Sequence, residues 1–167
     1  VWGGVGGVMG MCICNDRRGP ETYRVMGLQG VEMVMLGYNT PFDHTGHADI
    51  DGLTSFHNHL SMQAGAYQNS TWVIGTAKCG NEEGSKMLAQ SAIIAPSGEI
   101  IAQAVTFEDE VITARCDLDL GQRYRLNDGK PLGRTVTQIL LGFSKCAAMK
   151  QLPCSIAQIE ERPLIGM

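Results

Sequence analysis

The residues of this chain that are best placed to do chemistry follow a short apolar segment near its start. Positions 8 to 14 are apolar throughout and end at Cys14. The four polar residues that come next are Asn15, Asp16, Arg17 and Arg18. A buried strand that ends in this way presents its last side chain at the carboxyl edge of a sheet, where α/β proteins form their crevices. We therefore expect Cys14 to be a nucleophile and Cys12 to lie inside the strand; a small buried side chain is the alternative interpretation of Cys14.

Two adjacent arginines after the cysteine indicate a binding site for an acidic group. The planar guanidinium of arginine holds a carboxylate through paired hydrogen bonds, so Arg17 and Arg18 would anchor a small-molecule substrate that bears a carboxylate. Asn39 and Thr40, at the end of the next predicted strand, would lie beside them at the same edge of the sheet. Alternatively, Arg17 and Arg18 form a solvated pair at the surface. Asn39 and Thr40 would then serve only to form a turn before Pro41.

The histidines, cysteines and glycines do not form the patterns of a metal site or a phosphate loop. His44 and His47 are three residues apart, but His57 and His59 would face different sides of a helix, and no H-E-x-x-H sequence occurs. No C-x-x-C spacing occurs either. The glycine-rich start lacks both nucleotide-binding loop patterns and precedes the strand that a phosphate loop would follow. We therefore expect no metal and no cofactor.

The composition argues against two classes of partner. The 167 residues carry a net charge of −4 and no basic run, which argues against nucleic-acid binding. No apolar stretch approaches the roughly 18 residues of a membrane span, and the start has no leader-like pattern. Six cysteines without the regular spacing of a secreted disulfide framework favour free thiols. We expect a soluble chain that acts in the cytoplasm without a membrane partner.

The elements that must position these residues alternate along the chain. Apolar runs predict three strands, at 8–14, 32–36 and 71–76. Amphipathic periodicity predicts a helix in each gap, at 20–28 and 53–67. This order is typical of an α/β fold, a sheet with crossover helices. Further along, the pattern predicts a hairpin, a strand and a helix, at 91–103, 110–116 and 135–150.

Several of these segments together resemble the nitrilase, or carbon–nitrogen hydrolase, superfamily. The motifs are Cys-Asn-Asp-Arg-Arg after the apolar strand, Pro-Glu-Thr-Tyr-Arg-Val-Met-Gly-Leu-Gln-Gly from residue 20, and Gly-Tyr-Asn-Thr-Pro from residue 37. The similarity continues to about residue 125, and within the superfamily it is greatest to the N-carbamoyl-D-amino-acid hydrolases. The resemblance implies a four-layer α-β-β-α sandwich, homo-oligomers, and removal of a carbamoyl group through a cysteine thioester.

The resemblance also implies roles for individual residues. Cys14 would attack the carbamoyl carbon, and the backbone N–H of Asn15 would hold the resulting oxyanion. Contacts to the substrate carboxylate would come from Arg17, Arg18, Asn39 and Thr40. Gly19 departs from the pattern, because the family carries a tryptophan at this place.

The family's catalytic glutamate and lysine precede its cysteine by more than the thirteen residues that precede Cys14 here. Glu82 and Lys86, in a later loop, carry no motif and are not nominated in their place. We therefore expect residues 1–125 to be the C-terminal part of a hydrolase domain, residues 126–167 to be a divergent tail, and the chain alone to be inactive.

Two alternatives to this assignment stay open. Within the superfamily, the chain could belong to an aliphatic amidase, a nitrilase or a β-ureidopropionase. In a different class, it could be an inactive remnant that folds and associates through an uncovered face of its sheet.

Overall fold

A mixed sheet forms the centre of the structure, a computed structural model that describes residues 2–4, 6–43 and 45–127. The strands of this described part are β1 (Trp2–Gly4), β2 (Gly7–Ile13), β3 (Met33–Tyr38), β4 (Trp72–Ala77), β5 (Asn81–Glu82), β6 (Ser85–Lys86), β7 (Ala92–Ile94) and β8 (Ile100–Gln103). One sheet has the order β1-β2-β3-β4-β7-β8, and β5 pairs with β6. Strands β2, β3 and β4 run parallel, and the other neighbours are antiparallel. The described residues lie in one compact unit, Val1–Lys130.

Helical segments connect the strands. They are a 3-10 turn (Cys14–Arg18), α1 (Pro20–Leu28), α2 (Ala48–Asp51), α3 (Thr54–Asn69) and α4 (Asp119–Asn127). Helix α1 begins at Pro20, whose fixed φ suits the first helical position. It ends just before Gly30, which has a φ of 82° that favours glycine. Helices α1 and α3 are the crossovers that bring β2, β3 and β4 into a parallel arrangement.

Alternation along the strands gives the sheet two apolar faces. The first face packs against α1 and α3, and β3 contributes Val34, Leu36 and Tyr38 to this first core cluster. The second face carries a second core cluster, to which the same strand contributes Met33 and Met35. Successive side chains of a strand point to opposite sides, so one apolar run serves both clusters.

Helix α1 approaches α3 closely at a glycine. The ring of Tyr23 is buried against Gly65, and a Cβ atom at Gly65 would lie 2.6 Å from that ring. A side chain of any size at this position would therefore force the ring to move or the two helices to separate. The close approach of α1 and α3 thus depends on the absence of a side chain at position 65.

A segment without helix or strand, residues 105–118, covers part of the second face. Its inward side chains in the second core cluster are Ile112, Ala114, Cys116 and Leu118. The indole N–H of Trp72 donates to the carbonyl of Asp117 at 2.8 Å, which ties the segment to the sheet. On the same face of β2, Met11 and Ile13 remain 73% and 70% exposed. The second face is thus covered at one end and open next to Cys14.

The structure confirms the α/β class and the helices and strands predicted between residues 8 and 103, with boundaries shifted by a few residues. Of the four expected layers, the described residues supply one sheet and one layer of helices. The strand prediction at 110–116 is wrong, because these residues are extended but pair with no strand in the described part. Helices α2 and α4 and the β5–β6 hairpin were not predicted. The predicted helix at 135–150 lies outside the described residues.

Among the described residues, no helix combines the length and the apolar character that crossing a membrane requires.

Candidate active site

Cys14 lies at a sharp turn where a strand of the parallel sheet leads into a helix. It follows β2 directly and is the first residue of the 3-10 turn. Its φ is 47°, in the left-handed region that residues other than glycine seldom adopt. A strained strand-to-helix turn of this kind presents a nucleophile at the edge of a sheet. The thiol is half-exposed, and its Sγ lies 3.8 Å from the acceptor Oδ1 of Asn39, at the end of β3.

The turn is held by its own polar side chains. The carboxylate of Asp16 accepts a hydrogen bond from the backbone N–H of Ile13 at 3.0 Å. The Nη1 of Arg17 donates to the carbonyl of Cys14 at 2.7 Å. These two bonds hold the N–H of the residue before the cysteine and the carbonyl of the cysteine itself, so side chains of the motif support the left-handed conformation.

Arg17 is almost completely buried, with 1% of its surface exposed. Its Nε donates to the Oδ1 of Asn58 at 3.1 Å, and its Nη2 donates to the hydroxyl of Thr40 at 2.7 Å. The guanidinium also lies over the ring of Tyr38, 4.2 Å from the centroid. Burial lowers the pKa of Arg17, but an arginine stays protonated at neutral pH. The structure thus gives Arg17 internal partners, whereas the sequence led us to expect a substrate carboxylate.

Tyr38 and Asn58 complete this network, although neither was among the predicted site residues. The amide of Asn58 donates to the hydroxyl of Tyr38 at 3.1 Å, and this hydroxyl donates to the carbonyl of Gln90 at 3.1 Å. Burial raises the pKa of Tyr38, so its hydroxyl keeps the proton that it donates. Two features of the sequence could have indicated these residues. Tyr38 directly precedes Asn39, and Asn58 is a polar residue on the inner face of the helix predicted at 53–67.

The loop before β7 closes the network from the other side. The N–H of Leu88 donates to the carbonyl of Thr40 at 2.9 Å. Ala89 and Gln90 have φ values of 55° and 65°, and two successive non-glycine residues in the left-handed region indicate a constrained loop. This loop therefore fixes the end of β3 beside the contact between Cys14 and Asn39.

The remaining predicted residues lie at the surface. Asn15 is exposed directly after the cysteine. Arg18 is also exposed and borders a cavity of about 160 Å³ between α1 and α3, together with Ser61 and Gln68. The predicted residues that the structure brings together are Cys14, Arg17, Asn39 and Thr40. Arg18 is placed at the junction of the helices.

Cys12 differs from Cys14 in its position. It lies inside β2, whereas Cys14 begins the turn, although both cysteines pack against the first core cluster. Burial raises the pKa of the Cys12 thiol to about 11, and the nearby charge of Asp16 adds to the effect. A thiol with this pKa is protonated at neutral pH and is a poor nucleophile. Of the two cysteines, Cys14 is the better candidate, because it lies at the end of the strand beside Asn39.

Charged groups of the loop after β4 have other partners. The Nζ of Lys86 lies 3.5 Å from the ring centroid of Phe107, and Glu82 pairs with Lys78. Within residues 2–43 and 45–127, no three His, Cys, Asp or Glu side chains are grouped in a way that could hold a metal ion. His44, one of the four histidines, lies outside the described residues.

Comparison with known proteins identifies relatives over most of the chain. Relative to a nitrilase of Pyrococcus abyssi, the chain is 28% identical over 120 residues, which are 72% of this chain and 41% of the relative. The chain is also 33% identical to an N-carbamoylputrescine amidase of Solanum tuberosum over 120 residues. This match covers 66% of this chain and 39% of the amidase. The chain thus spans about two fifths of the length of these curated relatives.

Structural comparison agrees with the sequence comparison. A carbon–nitrogen hydrolase from Helicobacter pylori G27 has the same fold over 71% of this chain and 43% of its own, with a TM-score of 0.63 and 21% identity. The sequence profile described as Carbon-nitrogen hydrolase matches residues 2–126. Because this match extends over most of the chain, from β1 to the end of α4, the protein belongs to the carbon–nitrogen hydrolase family.

Proposed function

We propose that Cys14 is the nucleophile of an amidohydrolase that cleaves a carbon–nitrogen bond outside a peptide. The observation that carries this proposal is the left-handed turn at Cys14, which holds a half-exposed thiol at the carboxyl edge of β2 beside β3. The position of Cys12 inside β2 and the family of the chain support the same assignment.

The proposed reaction proceeds in two steps. First, the sulfur of Cys14 forms a bond to the carbonyl carbon and the carbonyl oxygen takes up the negative charge, held by the backbone N–H of Asn15. The carbon–nitrogen bond then breaks, and the nitrogen leaves with a proton. Second, water adds to the thioester carbon and releases the thiol, and a carbamic acid product breaks down to carbon dioxide and ammonia. The proton acceptor and a further oxyanion donor are the glutamate and lysine that the resemblance implies.

We propose N-carbamoyl-D-amino acids as the substrate class. The motifs around Cys14 support this class, and the similarity to an N-carbamoylputrescine amidase supports a carbamoyl group in the substrate. A carboxylate on the substrate needs a cationic partner at the surface. Arg18, which is exposed four residues after Cys14, is the proposed partner.

Ammonia release tests the nucleophile and the substrate class in one experiment. The protein made from the complete reading frame is assayed with N-carbamoyl-D-phenylglycine, its L enantiomer, N-carbamoylputrescine and a simple amide. We expect turnover of the D compound and a loss of about a thousandfold or more in Cys14→Ala, because the covalent route disappears. Cys12→Ala is the matched control and should keep most of the activity.

Each part of the proposal can fail separately. Unchanged turnover in Cys14→Ala would remove the assignment of the nucleophile. Turnover restricted to N-carbamoylputrescine or to the simple amide would leave the nucleophile in place and replace the substrate class.

A second candidate function is that of a folded module that associates with other chains. The observation that favours it is the open end of the second face, where Met11 and Ile13 are 73% and 70% exposed. Neighbouring apolar side chains with this exposure are typical of an interaction surface. Self-association of the chain without turnover would be the signature of this function.

A further inference from the structure

The side chain of Arg17 contacts the backbone of Cys14 directly. A left-handed φ of 47° is unfavourable for a cysteine and persists where surrounding contacts impose it. The hydrogen bond from Nη1 of Arg17 to the carbonyl of Cys14, at 2.7 Å, is such a contact. A donor with a positive charge makes this bond stronger than a neutral one.

The same guanidinium connects the turn to two other elements. Its Nη2 reaches the hydroxyl of Thr40 after β3, and its Nε reaches the amide of Asn58 on α3. The ring of Tyr38 lies under the guanidinium plane. Because the N–H groups of arginine have a fixed planar arrangement, these contacts together define one orientation of the side chain.

Burial prevents Arg17 from leaving this position. Arg17 and Asn58 are each 1% exposed, and Thr40 is 8% exposed. If Arg17 turned outward, its acceptors on Asn58 and Thr40 would stay buried without their donor, and this cost favours the inward orientation. Arg17 borders the cavity between α1 and α3 but exposes only 1% of its surface, and its Nε, Nη1 and Nη2 all donate to internal partners.

We propose that Arg17 is a positioning residue that fixes the Cys14 thiol for attack on the substrate. The proposal rests on the proposed function of Cys14 as the nucleophile. Arg17 acts through the carbonyl of Cys14, and Thr40 and Asn58 hold Arg17 in place. Recognition of the substrate carboxylate then belongs to other groups, such as Arg18.

Hydrogen exchange on the 167-residue chain tests this role without turnover. Arg17→Lys keeps the charge but loses the planar set of donors, whereas Arg17→Met loses the charge as well. We expect the amides of the Cys14–Arg18 turn to exchange about tenfold faster in both variants, while the amides of α3 stay protected. Arg24→Met, which removes a half-buried arginine from α1, is the matched control and should leave the turn unchanged.

A variant that failed to fold would not end this test. Thr40→Val removes one acceptor of Arg17 and keeps the arginine, and Thr40→Ser restores the acceptor. Faster exchange in the turn of Thr40→Val with recovery in Thr40→Ser supports the proposal. Unchanged exchange in the turn of a folded Arg17→Lys or Thr40→Val protein overturns it.

Kinetics separates positioning from binding. In the protein made from the complete reading frame, we expect Arg17→Lys to lower kcat by about 100-fold and to leave KM nearly unchanged. The loss should be equal for N-carbamoyl-D-phenylglycine and for a neutral amide. A rise in KM confined to the carboxylate-bearing substrate would show that Arg17 binds substrate and would overturn the proposal. If the unmodified protein hydrolyses none of the substrates, the proposed function fails, and the exchange experiment still decides the role of Arg17 at the turn.

Discussion

Cys12 and Cys14 are separated by one residue but differ in their surroundings because strand β2 ends between them. Cys12 is inside the strand and packs against the first core cluster. Cys14 begins the 3-10 turn and lies within contact distance of Asn39. Both thiols pack against the first core cluster, so what distinguishes Cys14 is its left-handed turn and its contact with Asn39.

We predict that the protonated state of Cys12 makes stability fall at alkaline pH. Its pKa in the folded chain is raised to about 11, mainly by burial, above the ordinary value of 9.0. Between these two values the folded chain keeps a proton that the unfolded chain releases, so the free energy of unfolding falls as the pH rises. Since the thiol is half-exposed, we expect a discounted effect on the order of 1 kcal/mol.

Urea denaturation measures this effect in the unmodified chain and in Cys12→Ala at about pH 8 and about pH 10.5. Both proteins keep the buried tyrosines, so the part of their contribution that does not depend on the charge of Cys12 is the same in both. The destabilisation caused by Cys12→Ala should be smaller at the higher pH. A difference that stays constant with pH would contradict the prediction.

The sequence could predict the position of Cys14 but not the environment of the two arginines. Cys14 and Asn39 each follow an apolar strand, and the parallel order of β2 and β3 brings those ends together. Arg17 and Arg18 are identical in type and adjacent, yet one is buried and one is exposed. Which of them turns inward depends on groups of α3 and β3 that are distant in sequence.

Local signals explain which elements could be predicted. Helix α1 has a proline at its start and a glycine soon after its end, and its predicted bounds agree with the structure. Residues 110–116 have the alternation of a strand, and they do place Ile112 and Ala114 inward and leave Val111 89% exposed. A strand also needs a partner, and pairing with a distant segment cannot be deduced from alternation alone.

At the junction of α1 and α3, we predict that Gly65→Ala lowers the free energy of unfolding by about 1–3 kcal/mol. The new Cβ atom would lie 2.6 Å from the ring of Tyr23, so the helices must separate or the ring must move. Gly37→Ala is the matched control, because a Cβ atom there would have Thr76 as its nearest contact at 4.0 Å.

Urea denaturation followed by circular dichroism measures both variants. A Gly65→Ala protein as stable as Gly37→Ala would show that the contact with Tyr23 relaxes without strain.

For the molecule as a whole, the open end of the second face leads us to predict self-association. Met11→Thr combined with Ile13→Thr keeps residues that favour strands and removes apolar surface. We expect the double variant to raise the dissociation constant of self-association by about tenfold or more, since each side chain contributes on the order of 1 kcal/mol when buried.

Sedimentation velocity measures the association, with Val25→Thr as the matched control. Val25 lies on α1 and is 52% exposed, so its replacement removes apolar surface elsewhere on the molecule. Equal association in the double variant and the unmodified chain would show that the second face is not the surface involved.

The open end of the second face could not be deduced from apolar character. Met11 is as apolar as Met33, and both lie on the same side of the sheet. The difference in exposure arises from the path of residues 105–118, which reach the second core cluster near Met33 and leave Met11 uncovered. Continuous apolar runs therefore predicted buried strands, whereas the extent to which each face is covered is a property of the folded chain.

The bond between Trp72 and the carbonyl of Asp117 supplies the molecule with an optical reporter. Trp72 is 3% exposed, and its indole is shielded from water by the segment that it binds. Indole emission moves to longer wavelength when water reaches the ring. Release of residues 105–118 would therefore shift the fluorescence to longer wavelength before α1 and α3 lose their helical circular dichroism. In a chain with Trp2→Phe, the emission wavelength of Trp72 would report the opening of the second face. The circular dichroism of α1 and α3 would report separately the unfolding of the helices on the first face.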